Sequence, residues 1–115
     1  MEERFKALSE KIRLRMLALL IEHEMCVCEI ECILNLTQSN ASRHLSALRK
    51  SGILESYKKA QWTYFQISGV FKTEHKLLWE YLNTELAKTD DYQKDLAAYE
   101  SCKTNNICCG SASPH

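Results

Sequence analysis

Six cysteines are the residues of this chain whose type and spacing can carry chemistry. They form two groups, one in the first third of the chain and one near its end: Cys26, Cys28, Cys32, Cys102, Cys108 and Cys109. The chain opens with MEERFKAL, which is amphipathic rather than signal-like, so metal or redox chemistry is favoured over the disulfide framework of a secreted protein. Cys28 and Cys32 have helical i, i+4 spacing, which brings two Cβ atoms to about 5–6 Å. These two thiols can therefore share one ion, although cysteine also serves as a small buried hydrophobic residue.

The first group opens a stretch, residues 25–52, that predicts two short helices joined by a tight turn. One face of the first helix carries Ile30, Ile33 and Leu34. After a break, Thr37 is a good N-cap for a second helix that begins at Gln38, and Gly52 suits the left-handed position just past its end. The apolar side of the second helix carries Ala41, Leu45 and Leu48.

The opposite side of the second helix is polar and thin. At 100° of rotation per residue, this side carries small side chains with hydrogen-bond donors and acceptors. Together with their neighbours, these side chains are the candidate DNA contacts: Gln38, Ser39, Asn40, Ser42, Arg43, Ser46 and Arg49. Glu is absent from residues 35–54, as a surface facing phosphates requires. The pattern predicts a helix-turn-helix that reads the major groove. The alternative is an ordinary helical hairpin with a polar outside.

The charges of this neutral chain are segregated. Residues 38–62 carry five basic residues and one acidic residue, whereas residues 73–100 carry three basic and seven acidic residues. A locally basic face can bind phosphates while the acidic end points away, so we expect a moderate salt dependence of DNA binding.

The segments on either side of the two helices complete the predicted domain. Apolar spacing from Phe5 to Leu19 predicts one or two entry helices, with Ser9 as a cap that divides them. Two β-prone runs after Gly52 predict a hairpin, or wing, with Lys58 and Lys59 at its tip, where they would contact the DNA backbone. The alternative is a small sheet that caps the core.

A further helical pattern follows the wing. It predicts a self-association surface made of Phe71, Leu78, Leu82 and Leu86, flanked by Leu77, Trp79 and Tyr81. A last stripe, with Tyr92, Leu96 and Tyr99, extends or follows that helix. The length suits one domain, so we predict a mainly α, homodimeric winged helix-turn-helix over residues 1–100 and a flexible tail over residues 101–115.

The run from Phe5 to Ile67 resembles the ArsR/SmtB family of metal-sensing winged-helix repressors. The resemblance rests on FKALSEKIRLRMLALL, MCVCEIECILNLTQSNASRHLSALRKSGIL and YKKAQWTYFQI. It implies a homodimer that represses transcription from an operator on double-stranded DNA and leaves the operator when a thiophilic ion binds. The wing departs from the family at Lys59-Ala60-Gln61, where a Gly-Arg turn is common.

The same resemblance assigns a sensing site to the first group of cysteines. Met25-Cys26-Val27-Cys28 is similar to the Cys-Val-Cys stretch of the arsenite-responsive branch, and Cys32 is the next thiol along the chain. The three together imply a site for As(III) or Sb(III), soft ions that favour three thiolates, with no organic cofactor. Drawing Cys26 into such a site would distort the start of the first helix, tilt the recognition helix and lower operator affinity.

The tail cysteines Cys102, Cys108 and Cys109 form a second candidate metal site. They could wrap a methylated arsenical, Cd(II) or another As(III), donate a thiol to the partner subunit, or be redox-active or incidental. The family's zinc site needs an Asp-x-His and a later His, and that spacing is missing near Glu74 and His75. Zinc sensing is therefore not expected.

Other functions compete with arsenite sensing. A thiol-redox regulator on the same fold would use Cys108-Cys109 or Cys26-Cys28 as its switch. A DNA-binding regulator on the same fold that responds to Cd(II) or methylarsenite is a further alternative. An enzyme is disfavoured because no His or carboxylate is spaced as a base beside a cysteine. The absence of a bilayer-spanning apolar run leads us to expect a cytoplasmic protein without a membrane partner.

Overall fold

The computed structural model describes residues 2–105, with side chains to residue 102, as a mainly helical domain with a small sheet. In chain order the elements are α1 (Glu2–Leu8), α2 (Lys11–Glu22), β1 (Met25–Cys26), α3 (Val27–Leu34), α4 (Gln38–Lys50), β2 (Leu54–Lys59), β3 (Trp62–Ile67), α5 (Gly69–Glu74), α6 (Lys76–Glu85), a 3₁₀ turn (Leu86–Lys88) and α7 (Asp90–Asn105). This order confirms the predicted winged helix-turn-helix. Within residues 2–105, no helix has both the length and the apolar character needed to cross a bilayer.

The entry segment divides where the sequence indicated, but Ser9 acts differently from an N-cap. Its hydroxyl donates to the Lys6 carbonyl oxygen at 2.6 Å and so closes the end of α1. Glu10 is the N-cap of α2, and its side chain makes no capping hydrogen bond to the backbone but pairs with Arg13 at 3.2 Å. Helix α2 is the centre of the core, since every residue from Met16 to Leu20 is buried.

Local capping residues determine where the two helices of the helix-turn-helix, α3 and α4, begin and end. Helix α3 ends at Asn35, which adopts the left-handed conformation with φ 56° and ψ 54°. The backbone N–H of Asn40 donates to Thr37 Oγ1 at 3.2 Å and begins α4, as predicted. Gly52 takes a φ of 89° just beyond α4, also as predicted. The predicted apolar faces of both helices are buried: Ile30, Ile33, Leu34, Ala41, Leu45 and Leu48.

The sheet has three strands in the order β1-β3-β2, because the two-residue strand before α3 joins the wing. Met25 pairs with Phe65 and Cys26 with Tyr64, both antiparallel. The sequence did not predict this strand. A two-residue turn joins β2 to β3, and its first residue, Ala60, has a φ of 58°. The second residue has no positive φ, which is the pattern of a type II′ turn, where glycine is favoured first.

The helices after the wing correct the predicted self-association surface. The predicted helix breaks at His75 into α5 and α6. Phe71, Leu82 and Leu86 are buried in the subunit's own core and so cannot form a dimer face. Leu77 and Tyr81 are exposed, at 83% and 64%.

Helix α7 follows as a separate helix and closes the domain over α2 and α3. Arg15 of α2 donates two hydrogen bonds to the carboxylate of Asp95, from Nε to Oδ2 at 3.0 Å and from Nη2 to Oδ1 at 2.8 Å. The rings of His23 and Tyr99 stack with centroids 4.3 Å apart. The helix continues past residue 100 to Asn105, and Cys102 belongs to the hydrophobic core.

Candidate nucleic-acid interface and thiol site

The polar face of α4 is presented to solvent. Its predicted DNA contacts Gln38, Ser39, Asn40, Ser42, Arg43 and Arg49 are exposed, and Ser46 is half-buried. Helix α4 contains no acidic residue, and Arg49 and Lys50 lie in its last turn. A donor-rich face of small side chains lets a helix enter the major groove closely enough to contact base edges.

A buried histidine behind this face went unnoticed in the sequence. His44 is 4% exposed, and its Nδ1 accepts a hydrogen bond from Arg13 Nε at 3.1 Å. Arg43 Nη2 lies 3.3 Å from His44 Nε2 on the other side of the ring. Burial, then the charges of Arg43 and Arg13, lower the pKa of His44. The signal was available, because His44 is three residues after Ala41 and four before Leu48 on the apolar side.

The wing carries its predicted lysines in exposed positions next to the turn. Lys58 pairs with Thr63 and Lys59 with Trp62. Neighbouring residues of a strand point to opposite faces, so one lysine extends from each face of the hairpin. The hydroxyl of Tyr57 donates to the carboxylate of Glu24, which raises the pKa of Tyr57 to about 12. This bond holds β2 to the loop that precedes β1.

A cavity of about 410 Å³ lies between the start of α3, the polar face of α4 and the wing. Cys28 and Glu31 line it from α3, and Gln38, Ser42 and Ser46 line it from α4. The structure thus brings two candidate metal ligands, Cys26 and Cys28, into the same cavity as three candidate DNA contacts. Cys26, Cys28 and the polar face of α4 therefore border the same space.

The three cysteines of the first group occupy different environments. Cys26 is 1% exposed and is the N-cap of α3, where its backbone N–H donates to Glu29 Oε1 at 3.0 Å. Cys28 is a half-buried free thiol, and Cys32 is an exposed free thiol. Burial, then the charge of Glu31, raise the pKa of Cys28.

One cysteine from the predicted tail reaches the first group. The Sγ atoms of Cys32 and Cys102 lie 2.9 Å apart, although the two residues are 70 positions apart in the chain. Cys26 and Cys102 both take part in disulfides. Cys28 and Cys32 are free thiols, so neither Cys28 nor Cys32 is the disulfide partner of Cys26. Cys108 and Cys109 lie outside the described residues. Within the described part of the chain, no group of three or more His, Cys, Asp or Glu side chains is arranged to hold a metal ion.

Comparison with known proteins decides the family. The family model described as "Bacterial regulatory protein, arsR family" matches residues 10–56. The "Arsenical resistance operon repressor" of Escherichia coli is 33% identical over 108 residues, covering 90% of this chain and 92% of that protein. The chain belongs to the ArsR family.

Other ArsR-family comparisons mark how far the likeness extends. The "Arsenic resistance transcriptional regulator ArsR1" of Pseudomonas putida is 45% identical over 64 residues, 55% of this chain, and the matched region spans only 50% of that regulator. A solved homodimeric winged helix-turn-helix DNA-binding domain, Mb0332 of Mycobacterium bovis, is 27% identical with a TM-score of 0.62, covering 73% of this chain and 78% of that one. The family match includes Cys26, Cys28 and Cys32 but ends before the wing tip and Cys102.

Proposed function

We propose that this ArsR-family protein is a transcriptional repressor that binds operator DNA as a homodimer and is released when As(III) or Sb(III) binds its cysteine thiols. The observation that carries the proposal is the shared cavity, in which Cys28 of α3 faces Gln38, Ser42 and Ser46 of α4. The names of the E. coli and P. putida relatives support arsenic as the inducer. Such a regulator acts where the genome is, in the cytoplasm.

DNA binding is assigned to the exposed polar face of α4 and to the wing. Arg43, at the exposed edge beside His44, is the side chain suited to a bidentate contact with a guanine. Lys58 and Lys59 would contact phosphates, which position the protein without reading sequence. In a two-fold dimer the two copies of α4 would meet successive major-groove turns, about 34–36 Å apart.

The dimer surface we propose is the exposed apolar part of α1, α5 and α6. Phe5, Val70, Leu77 and Tyr81 are the large apolar side chains that each subunit leaves most exposed among the described residues. Self-association would remove them from water. The solved homodimer of the M. bovis domain supports a dimeric assembly of this fold.

Release follows from the chemistry of the ligands. Three thiolates are the set that As(III) prefers, and Cys26, Cys28 and Cys32 would supply them from the start of α3 once a thiol reductant has opened the disulfide of Cys26. Because these three are not gathered around a common point, they must move together, and Cys26 is both the N-cap of α3 and part of β1. Movement of Cys26 would loosen the first turn of α3 and so displace α4, which borders the same cavity. A coupling of about 1–3 kcal/mol, typical of allostery, lowers affinity roughly 5- to 150-fold.

Fluorescence anisotropy with operator DNA tests the DNA-binding half of the proposal. Arg43→Ala is expected to lower operator affinity by tenfold or more, since a bidentate base contact contributes about 1–3 kcal/mol. The matched control is Lys94→Ala, an exposed basic residue of α7 far along the chain in the acidic segment. The assignment of α4 is wrong if Arg43→Ala binds the operator like Lys94→Ala.

A second candidate function is thiol-redox regulation. The disulfides of Cys26 and Cys102 support it, and the free thiol of Cys28 argues against a Cys26-Cys28 switch. Operator release by arsenite in reduced protein favours ion sensing, whereas release by peroxide alone favours the redox function. Titrating Cd(II) and methylarsenite in the same assay ranks the inducers.

A further inference from the structure

The imidazole ring of His44 lies between two guanidinium groups that cannot both bind it. Arg13 of α2 has its Nε 3.1 Å from Nδ1 of the ring, and Arg43, the preceding residue of α4, has its Nη2 3.3 Å from Nε2. Arginine only donates hydrogen bonds, so each guanidinium needs a lone pair on the ring. Burial, then the charges of Arg43 and Arg13, lower the pKa of His44, which keeps the ring neutral at neutral pH. A neutral imidazole has a lone pair on one ring nitrogen, so it can accept from one arginine only.

The geometry gives that lone pair to Arg13. The Nε–H of Arg13 donates to Nδ1, and the carboxylate of Glu10 also holds the guanidinium, with Oε2 3.2 Å from Nη2. The Arg13 side chain is only 11% exposed, so water competes little for these contacts. The ring proton of His44 therefore resides on Nε2 and points towards Arg43. Two donors that face each other form no hydrogen bond, so the guanidinium of Arg43 lies beside the ring but is not bound by it.

We propose that His44 is a positioning residue for operator reading, because its hydrogen bond with Arg13 keeps the lone pair of the ring away from Arg43 and leaves that guanidinium available to DNA. The inference rests on the proposed function, in which Arg43 contacts a base. It adds two residues, His44 and Arg13, that act on the DNA contact from inside the subunit.

The other tautomer of His44 would withdraw Arg43 from the DNA. With the proton on Nδ1, the ring would point that proton towards Glu10 Oε1, 3.8 Å away, and Nε2 would accept a hydrogen bond from Arg43. Arg43 would then have to break this bond before it contacted a base. The two tautomers differ in the position of one proton, and no charge changes between them. The Arg13 side chain therefore selects the tautomer, and with it whether Arg43 is held on the protein.

Operator binding by Arg13→Met tests this role, since methionine keeps an unbranched apolar stem but has no donor for Nδ1. Fluorescence anisotropy of the full-length dimer is measured at about pH 8, above the ordinary pKa of histidine. We expect Arg13→Met to bind the operator about threefold to tenfold more weakly, which is the contribution of one net hydrogen bond. The matched control is Lys11→Met, which removes one charge from the same helix at a side chain that is 77% exposed. Its affinity should stay within about twofold of the wild type, because the effect of an exposed distant charge is screened by salt.

The same substitution in an Arg43→Ala background separates positioning from a general loss of stability or charge. Arg13→Met should cause no further loss there, since the residue through which it acts is gone. An equal loss in both backgrounds would overturn the proposal, and so would an Arg13→Met dimer that binds the operator like Lys11→Met. If Arg43→Ala alone binds the operator as tightly as the wild type, the assignment of α4 in the proposed function fails together with this inference.

Nitrogen NMR of the histidine rings tests the tautomer in the wild type, without relying on a variant that folds. Long-range proton–nitrogen correlation spectra show which ring nitrogen carries the proton, and the signal that is lost in His44→Gln identifies His44. We expect the proton on Nε2 in the wild-type dimer and on Nδ1 in Arg13→Met. A wild-type ring with its proton on Nδ1 would overturn the proposal and leave the proposed function standing.

Discussion

The ion pair between Arg15 and Asp95 should hold α7 against α2, and Asp95→Ala tests this. The carboxylate of Asp95 is buried and accepts both guanidinium hydrogen bonds. This hydrogen bonding to Asp95 raises the pKa of Arg15. Removing one partner of a fully buried pair costs about 3–5 kcal/mol. Since the Arg15 side chain is 26% exposed and can still reach water, we expect a smaller loss, about 2 kcal/mol.

Urea denaturation followed by circular dichroism, at one fixed concentration of dimer, measures this loss. The matched control is Asp91→Ala on the same helix, which removes a bridge to a Lys11 side chain that is 77% exposed. An exposed bridge contributes little, so the control should lose no more than about 0.5 kcal/mol. Arg15→Ala should cost more than Asp95→Ala, because it leaves a buried carboxylate without a partner. The reasoning is refuted if Asp95→Ala and Asp91→Ala have the same free energy of unfolding.

Four further predictions follow from single side chains. Glu31→Gln should lower the raised pKa of Cys28 and speed its alkylation at pH 7.5; an unchanged rate would remove Glu31 as a cause. The pKa of His44 is lowered in the folded protein, so as the pH falls below about 6.5 the histidine is protonated first in the unfolded chain. The free energy of unfolding of the wild type, measured by urea denaturation, should therefore fall from pH 7.5 to 5.5, and that of His44→Gln should fall less. Ala60→Gly should gain roughly 0.5–1 kcal/mol in the same melts by relieving a positive φ, and a loss would contradict the turn geometry. Thr37→Ala should cost about 1 kcal/mol by removing the N-cap of α4, with Thr37→Ser as the neutral control.

Features that depend on neighbouring residues could be predicted from the sequence. Thr37 and Gly52 bound α4 through their own backbone and side-chain preferences, and a 3.6-residue period fixes which side of each helix is apolar. The division of the entry segment and the hairpin after Gly52 are equally local. Ser9 shows the limit of such signals, because a hydroxyl near a helix boundary can satisfy the end of one helix or the start of the next.

Features that depend on distant pairing could not be predicted. Strand β1 has two residues and exists only because β3, about 40 residues later, pairs with it. The apolar stripe of α5 and α6 was correct, but its period does not say whether the partner is the subunit's own core or a second copy. The approach of Cys32 and Cys102 depends on how α7 packs, and a search for closely spaced thiols cannot detect it.

An ion bound by the thiols of α3 is proposed to lower the affinity of α4 for operator DNA. The direct measurement is the operator affinity of the reduced dimer by fluorescence anisotropy, with and without saturating arsenite, while absorption of the arsenic–sulfur bonds reports loading. We predict at least a tenfold loss of affinity in the wild type and none in a Cys28→Ser, Cys32→Ser variant that still binds the operator. A fully loaded wild-type dimer that binds the operator as tightly as the empty dimer would contradict the account.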